Sequence, residues 1–178
     1  ETWDCLAMTE PGAGSDLRGM KASARQDGGD WILNGTKHFI SHADIAGFAI
    51  CFMASGEEET PRGKKKLITA FCVDKGTKGF TVRDGYRNVS HRGYTNAVLE
   101  FDDCRIPASQ VLGEPHKGFE VANQWLGATR LQVASTCLGR AERALGHSIS
   151  YAAERKQFGK PIGKFQGISF KLADMAME

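Results

Sequence analysis

The stretch TNAVLEFDDCRIPASQVLGEPHKGFEVANQWL, Thr95 to Leu126, changes its hydrophobic period part-way along. TNAVLEFD is a strand-like run, and beyond Pro107 the apolar spacing becomes three and four, with Phe119, Ala122 and Leu126. Ala134, Leu138, Ala141, Leu145, Ile149 and Ala152 continue that stripe and predict one long helix over roughly 117–157. Gly159, Pro161 and Gly163 interrupt it, and Phe165, Ile168, Leu172 and Met175 begin a second helical face that still runs at Glu178. A forty-residue helix is about 60 Å long, so further helices or another subunit are expected to cover its stripe. The chain therefore reads as a fragment at this end, and also at its start, where Glu1 to Cys5 opens without a start signal.

Before the change, short β-like runs alternate with turn signals. Lys21–Gln26 is closed by DGGD, and Asn34-Gly35 between WIL and KHFIS is the dipeptide that most favours a hairpin. Residues 47–54, 67–74, 79–84 and 95–102 continue the series. The class expected is α+β: an antiparallel β-barrel or sandwich over 1–107, then the first two helices of an incomplete helical bundle over 108–178.

Composition narrows the function. With 178 residues, 41% of them hydrophobic, the chain can bury one sizeable core or two small ones without disulfides. No apolar run approaches the roughly 20 residues that cross a bilayer, and no secretion signal is visible. Cys5, Cys51, Cys72, Cys104 and Cys137 are odd in number and lack a CxxC pair, so they read as reduced core thiols of a cytosol-like compartment. Net charge is only +2, and the basic RGKKK of 62–66 follows the acidic GEEET of 56–60, which predicts a solvated loop rather than a nucleic-acid surface.

Three stretches carry chemistry. MTEPGAGSD, Met8 to Asp16, has neither a Walker GK[ST] nor a GxGxxG ahead of a helix. Gly12 and Gly14 let backbone N–H groups approach an anion, with Thr9 and Ser15 adding hydroxyls, yet the loop taken alone reads as a glycine-rich β-connection. His38 and His42 sit on an apparent strand, where four residues span about 13 Å, too far for one metal ion. His91, His116 and His147 have no ligand cluster nearby, and a triad of Ser15, His91 and Asp102 lacks a nucleophile elbow. Finally, ERKQFGKPIGKFQ (154–166) gathers Arg155, Lys156, Lys160 and Lys164. These cations either offset a helix C-terminus or, with Gln157 and Gln166, clamp a phosphate through Arg155.

MTEPGAGSD, DWILNGTKHFIS, NVSHRGYTNAVLEFDDCRIPASQVLG, GATR and YAAERKQFGKPIGKFQGISFKLADMAME, in that order, resemble the acyl-CoA dehydrogenases over essentially the whole chain. The resemblance implies a middle β-domain and the start of a C-terminal helical domain, with FAD between them. It implies that Leu6, Met8 and Thr9 meet the flavin ring, that Gly14 and Ser15 meet the pyrophosphate, and that Ser15 also meets substrate. Phe39, Ile40 and Ser41 match the segment behind the isoalloxazine, usually Trp-x-Thr. FIS keeps an aromatic surface and a hydroxyl without the indole N–H, so flavin binding is expected to survive. Without the surrounding matches, Phe39 would read as an inward-facing strand residue.

Arg155, Gln157, Phe158 and Gln166 match positions that reach the cofactor from a neighbouring subunit, implying a homo-dimer or homo-tetramer. Gly127, Thr129 and Arg130 match a substrate-facing helix segment, although many members carry aspartate at the position of Gly127. One subgroup carries the catalytic glutamate where Thr129 stands and the other far downstream, so no base is assigned here and one is expected beyond Glu178. The implied activity is oxidation of an acyl-CoA to the trans-2-enoyl-CoA, as in fatty-acid β-oxidation, with electrons passing to an electron-transfer flavoprotein. An acyl-CoA oxidase or flavin monooxygenase of the same fold, and a non-catalytic flavin-binding or assembly module, are the alternatives. The implied compartment is bacterial cytoplasm or mitochondrial matrix.

Overall fold

A computed structural model describes residues 2–61, 63–89 and 92–178. It divides into two compact units, one ending at Gln124 and the other running from Trp125 to Glu178.

The first unit is built on an eight-stranded sheet. Its strands are β1 (Asp4–Ala7), β2 (Ser23–Asp27), β3 (Asp30–Ser41), β4 (Phe48–Thr60), β5 (Gly63–Asp74), β6 (Phe80–Asp84), β7 (Asn96–Pro107) and β8 (Val111–Leu112). Along the sheet the order is β6-β7-β3-β2-β4-β5-β8, with β1 also paired to β4. The sheet is mixed, not purely antiparallel. β1 runs parallel to β4 from Asp4↔Phe48 to Ala7↔Cys51, and β2 is parallel to β4 at Ser23↔Ala54. The β2–β3 excursion separates β1 from β4 in sequence, so the chain reaches β4 running in the direction of β1. A chain of hairpins would have reversed it.

β4 and β5 are buried on both faces, which is why they read as near-continuous apolar runs. Ala49, Cys51, Met53, Phe71 and Val73 face one core with Trp31, Leu33, Leu99 and Ile106. Their alternating neighbours Phe52, Ile68 and Ala70 face a second core with Met8, Ala13, Met20 and Ala122. Ala122 belongs to α1 (Gly118–Glu154), whose first turns pack on the sheet, so the compact unit extends past Pro107 to Gln124. A Cβ on Gly118 would stand 2.7 Å from the Ala70 nitrogen, so only glycine lets the helix start this close to β5.

Two expectations fail here. Asn34-Gly35 is not a hairpin turn: β3 runs straight through it, and the reversal from β2 lies at Gly28-Gly29, where Asp27 pairs with Asp30. The ladder with β7 shifts between Leu33 and Gly35, placing an extra residue on β7. Asn34 fixes that bulge by donating to Asp103 Oδ1 at 3.0 Å and accepting the Asp103 N–H at 2.9 Å, with Asp103 in the left-handed region at φ 43°. The acidic and basic runs are likewise not a loop. They extend β4 and β5 as a ladder pairing Glu57, Glu58 and Glu59 with Lys66, Lys65 and Lys64, and opposite charges across the pair support strand geometry.

In the second unit α1 continues to Glu154, followed by the short pair β9 (Lys156–Gln157) and β10 (Lys160–Pro161) and by α2 (Gln166–Met177). Leu138 and Ile149 of the predicted stripe are exposed within this chain, whereas Ala152 is buried, with Gly163 close against it. Cys137 is also exposed on α1, unlike the buried Cys5, Cys51 and Cys104, so the reading of all five thiols as core residues does not hold. Among the described residues no helix is long and apolar enough to cross a membrane.

Candidate functional site

β1 and β2 pair with the same edge of β4 at different places, and the chain between them, including Met8–Asp16, fills the gap. Glu10 and Ala13 exchange backbone hydrogen bonds of 2.9 and 3.1 Å, so Pro11 and Gly12 form a tight reversal. A Cβ placed on Gly12 or Gly14 would meet nothing within 4 Å. The protein's own packing therefore does not require these glycines, and the open backbone fits a group that approaches from outside.

A buried ion pair anchors the loop. Lys37 of β3 is 0% exposed and Glu10 4%, and Lys37 Nζ donates to Glu10 Oε1 at 2.8 Å and to the Met8 carbonyl at 3.1 Å. Glu10 also accepts the backbone N–H groups of Lys21 at 2.6 Å and Ala22 at 3.1 Å, so both ends of the loop close on one carboxylate. Burial pushes the Lys37 ammonium below its ordinary range, and the hydrogen bond it donates to Glu10 opposes that shift. Sequence reading passed over both residues. Their signals were the Glu of TEP and the Lys of NGTK, which are hard to read as partners when 27 positions apart.

The Thr9 carbonyl accepts the His38 N–H at 2.9 Å, which ties the loop directly to the segment carrying Phe39, Ile40 and Ser41. There β3 has a bulge: Lys37 pairs with Leu99 and Ile40 with Ala97, leaving one extra residue on β3. Phe39 takes φ 56° and is 49% exposed, so it is presented at the surface and is not an inward-facing strand residue. Its ring centroid lies 4.3 Å from those of both His38 and Tyr86. Ile40 is buried in the first core, so only its backbone can meet a ligand. Tyr94 Oη donates to Ser41 Oγ at 2.6 Å. Leu6 and Met8 pack with the second core, while Gly14 and Ser15 are exposed.

The remaining sites fall in the second unit. Gly127 and Arg130 are exposed on α1, and Thr129 donates to the Trp125 carbonyl at 2.9 Å, a local helix bond. Arg155 follows α1, its N–H bonded to the Tyr151 carbonyl at 2.9 Å. Gln157 pairs with Lys160 across a two-residue turn in which Phe158 (φ 52°) and Gly159 (φ 77°) are both left-handed. That turn holds the Phe158 side chain 92% exposed, and Lys160 Nζ sits 4.5 Å over the Phe165 ring. Gln166 opens α2. The Ser15, His91 and Asp102 triad turns on His91, which lies outside the described residues.

The site residues of the first unit lie on a mixed sheet that holds a glycine loop and an outward aromatic and that is followed in the chain by the long helix α1. Residues 5–104 match the acyl-CoA dehydrogenase middle domain and residues 116–178 the acyl-CoA dehydrogenase C-terminal domain, and the chain belongs to the acyl-CoA dehydrogenase family. It is 42% identical over 173 residues to the human mitochondrial short-chain specific acyl-CoA dehydrogenase, covering 97% of this chain and 41% of that protein. Butyryl-CoA dehydrogenase from Megasphaera elsdenii matches in structure with a TM-score of 0.86 and 38% identity, over 99% of this chain and 45% of that one. Glutaryl-CoA dehydrogenase from Mycobacterium smegmatis, solved in complex with FADH2, matches with a TM-score of 0.86 and 32% identity, over 99% and 43%. The chain thus spans less than half the length of each of these relatives.

Proposed function

We propose that these residues form the cofactor-cradling part of an FAD-dependent acyl-CoA dehydrogenase. The enzyme would oxidise a saturated acyl-CoA at Cα–Cβ to the trans-2-enoyl-CoA and pass the electrons to an electron-transfer flavoprotein. The observation that carries this reading is the seam at which the Thr9 carbonyl meets the His38 N–H, because it sets an open glycine loop beside an outward aromatic and a hydroxyl. Bound FAD supplies the hydride acceptor that no side chain provides.

Toward that group Leu6, Met8 and Thr9 would line the ring edge, and Gly14 and Ser15 the pyrophosphate. Phe39 would offer an apolar face that excludes water, with the Ile40 backbone and the Ser41 hydroxyl beside it. Ser15, Gly127, Thr129 and Arg130 would face the acyl-CoA. Arg155, Gln157, Phe158 and Gln166 would complete the cofactor site of a second copy in a homo-dimer or homo-tetramer. The support for that assignment is the turn that holds Phe158 almost fully exposed. Thr129 carries no basic group, so the base is assigned outside this chain, and removal of the α-proton would depend on it. Residues 1–107 are assigned as the middle β-domain and 108–178 as the start of the helical domain, in a protein of bacterial cytoplasm or mitochondrial matrix.

The test is anaerobic absorbance of the full-length protein titrated with acyl-CoAs of increasing length and branching. Bleaching of the flavin band by one class supports the dehydrogenase reading and names the substrate. Reoxidation faster by oxygen than by an electron-transfer flavoprotein would favour the oxidase or monooxygenase alternative. A bound flavin that no acyl-CoA reduces would favour a non-catalytic module, and a protein that cannot be loaded with flavin would sink the reading.

A further inference from the structure

Ser41 ends β3, and its hydroxyl has one proton to give and two lone pairs to receive with. One lone pair is taken: Tyr94 Oη donates to Ser41 Oγ at 2.6 Å. The proton of Ser41 has no acceptor among the described residues, although the side chain is only partly exposed. A hydroxyl that receives from a fixed donor can no longer rotate freely, so its own proton is steered away from that donor.

Tyr94 is itself held. Its ring packs edge-on against His42 at 4.5 Å between centroids, and the His42 N–H donates to the Thr95 carbonyl at 3.1 Å. Thr95 Oγ1 donates to Asp44 Oδ1 at 2.6 Å, so the segment before β7 is bonded on both sides of the turn that follows Ser41. These contacts fix where Tyr94 Oη stands without using Ser41.

We propose that Tyr94 is a positioning residue that orients the Ser41 hydroxyl as a hydrogen-bond donor to the flavin. This inference rests on the flavin reading above and adds to it a residue outside the segments assigned to the cofactor. Tyr94 acts on the flavin through Ser41 and is not itself a flavin contact in this proposal.

The experiment is a double-mutant cycle in the full-length protein with Tyr94→Phe, Ser41→Ala and the double variant. The readouts are FAD dissociation constant, bound-flavin absorption spectrum and thermal midpoint. Phenylalanine keeps the ring on His42 and deletes only the Oη. Tyr94→Phe is expected to weaken FAD binding about three- to tenfold, the range of one hydrogen bond, and to shift the bound-flavin spectrum. In the Ser41→Ala background the same substitution is expected to change neither. A flavin-loaded wild type whose spectrum and affinity survive Tyr94→Phe overturns the proposal and leaves the flavin reading standing. So does a Tyr94→Phe effect of equal size with and without Ser41. A wild type that cannot be loaded overturns both.

Discussion

Lys37 Nζ lies 2.8 Å from Glu10 Oε1, and the pair, almost wholly buried, fastens the glycine loop to the strand that carries Phe39 and Ser41. Removing one partner strands the other charge in a low-dielectric interior. Lys37→Met is expected to cost about 3–5 kcal/mol of stability. Glu10→Gln with Lys37→Met should cost less than Lys37→Met alone, because no uncompensated charge remains. Urea unfolding of the wild type, both single variants and the double variant checks this, and additive losses would show that the pair is not coupled.

Gly35 has φ 130°, and a Cβ there would stand 2.6 Å from Ala22 Cα. Gly35→Ala should therefore cost about 2 kcal/mol or more, combining backbone strain with overpacking. Gly29, at the real β2–β3 turn, has nothing within 4 Å of its would-be Cβ. Gly29→Ala should stay within about 0.5 kcal/mol of wild type. Equal costs for the two substitutions in a denaturation series would contradict a strand that runs through Asn34-Gly35.

Phe39 is half-exposed and makes its ring contacts with His38 and Tyr86. Phe39→Ala should lower stability by only about 1 kcal/mol, the scale of an aromatic pair. The same change should weaken FAD binding by about tenfold or more, since 1.4 kcal/mol of lost contact is tenfold. Calorimetry with flavin titration separates the two effects. A stability loss without an affinity loss would make Phe39 a packing residue.

Burial pushes the Cys5 and Cys104 thiols up to about 11 from 9.0, and Cys51 well above that ordinary value. A group raised on folding contributes stability that is present below its unfolded pKa and is lost as pH rises through the folded one. Stability should therefore fall between pH 9 and 11, and Cys5→Ala with Cys104→Ala should flatten the fall. Lys37 has the opposite sign: its lowered pKa makes stability rise with pH below 10.5, so the thiol contribution is read from the difference between variant and wild type. Identical pH slopes for the two proteins would refute it.

By itself the sequence determined what depends on near neighbours. The change of period at Pro107, the runs that became β4, β5 and β7, and the helices 118–154 and 166–177 all follow from residues two to four apart, because side-chain direction repeats on that scale. The motif set was equally legible, since TEPGAGSD and ERKQFGKPIGKFQ are contiguous. Tertiary structure decided what depends on partners distant in the chain. Asn34-Gly35 favours a turn locally, but Asp103, 69 positions away, accepts and donates to Asn34 and keeps the strand extended. The parallel pairing of β1 with β4 and the closure of Glu10 on Lys37 likewise join segments that no local pattern connects. The outward presentation of Phe39 hangs on a one-residue bulge against β7, and a shift of one residue moves a strand side chain to the opposite face of the sheet.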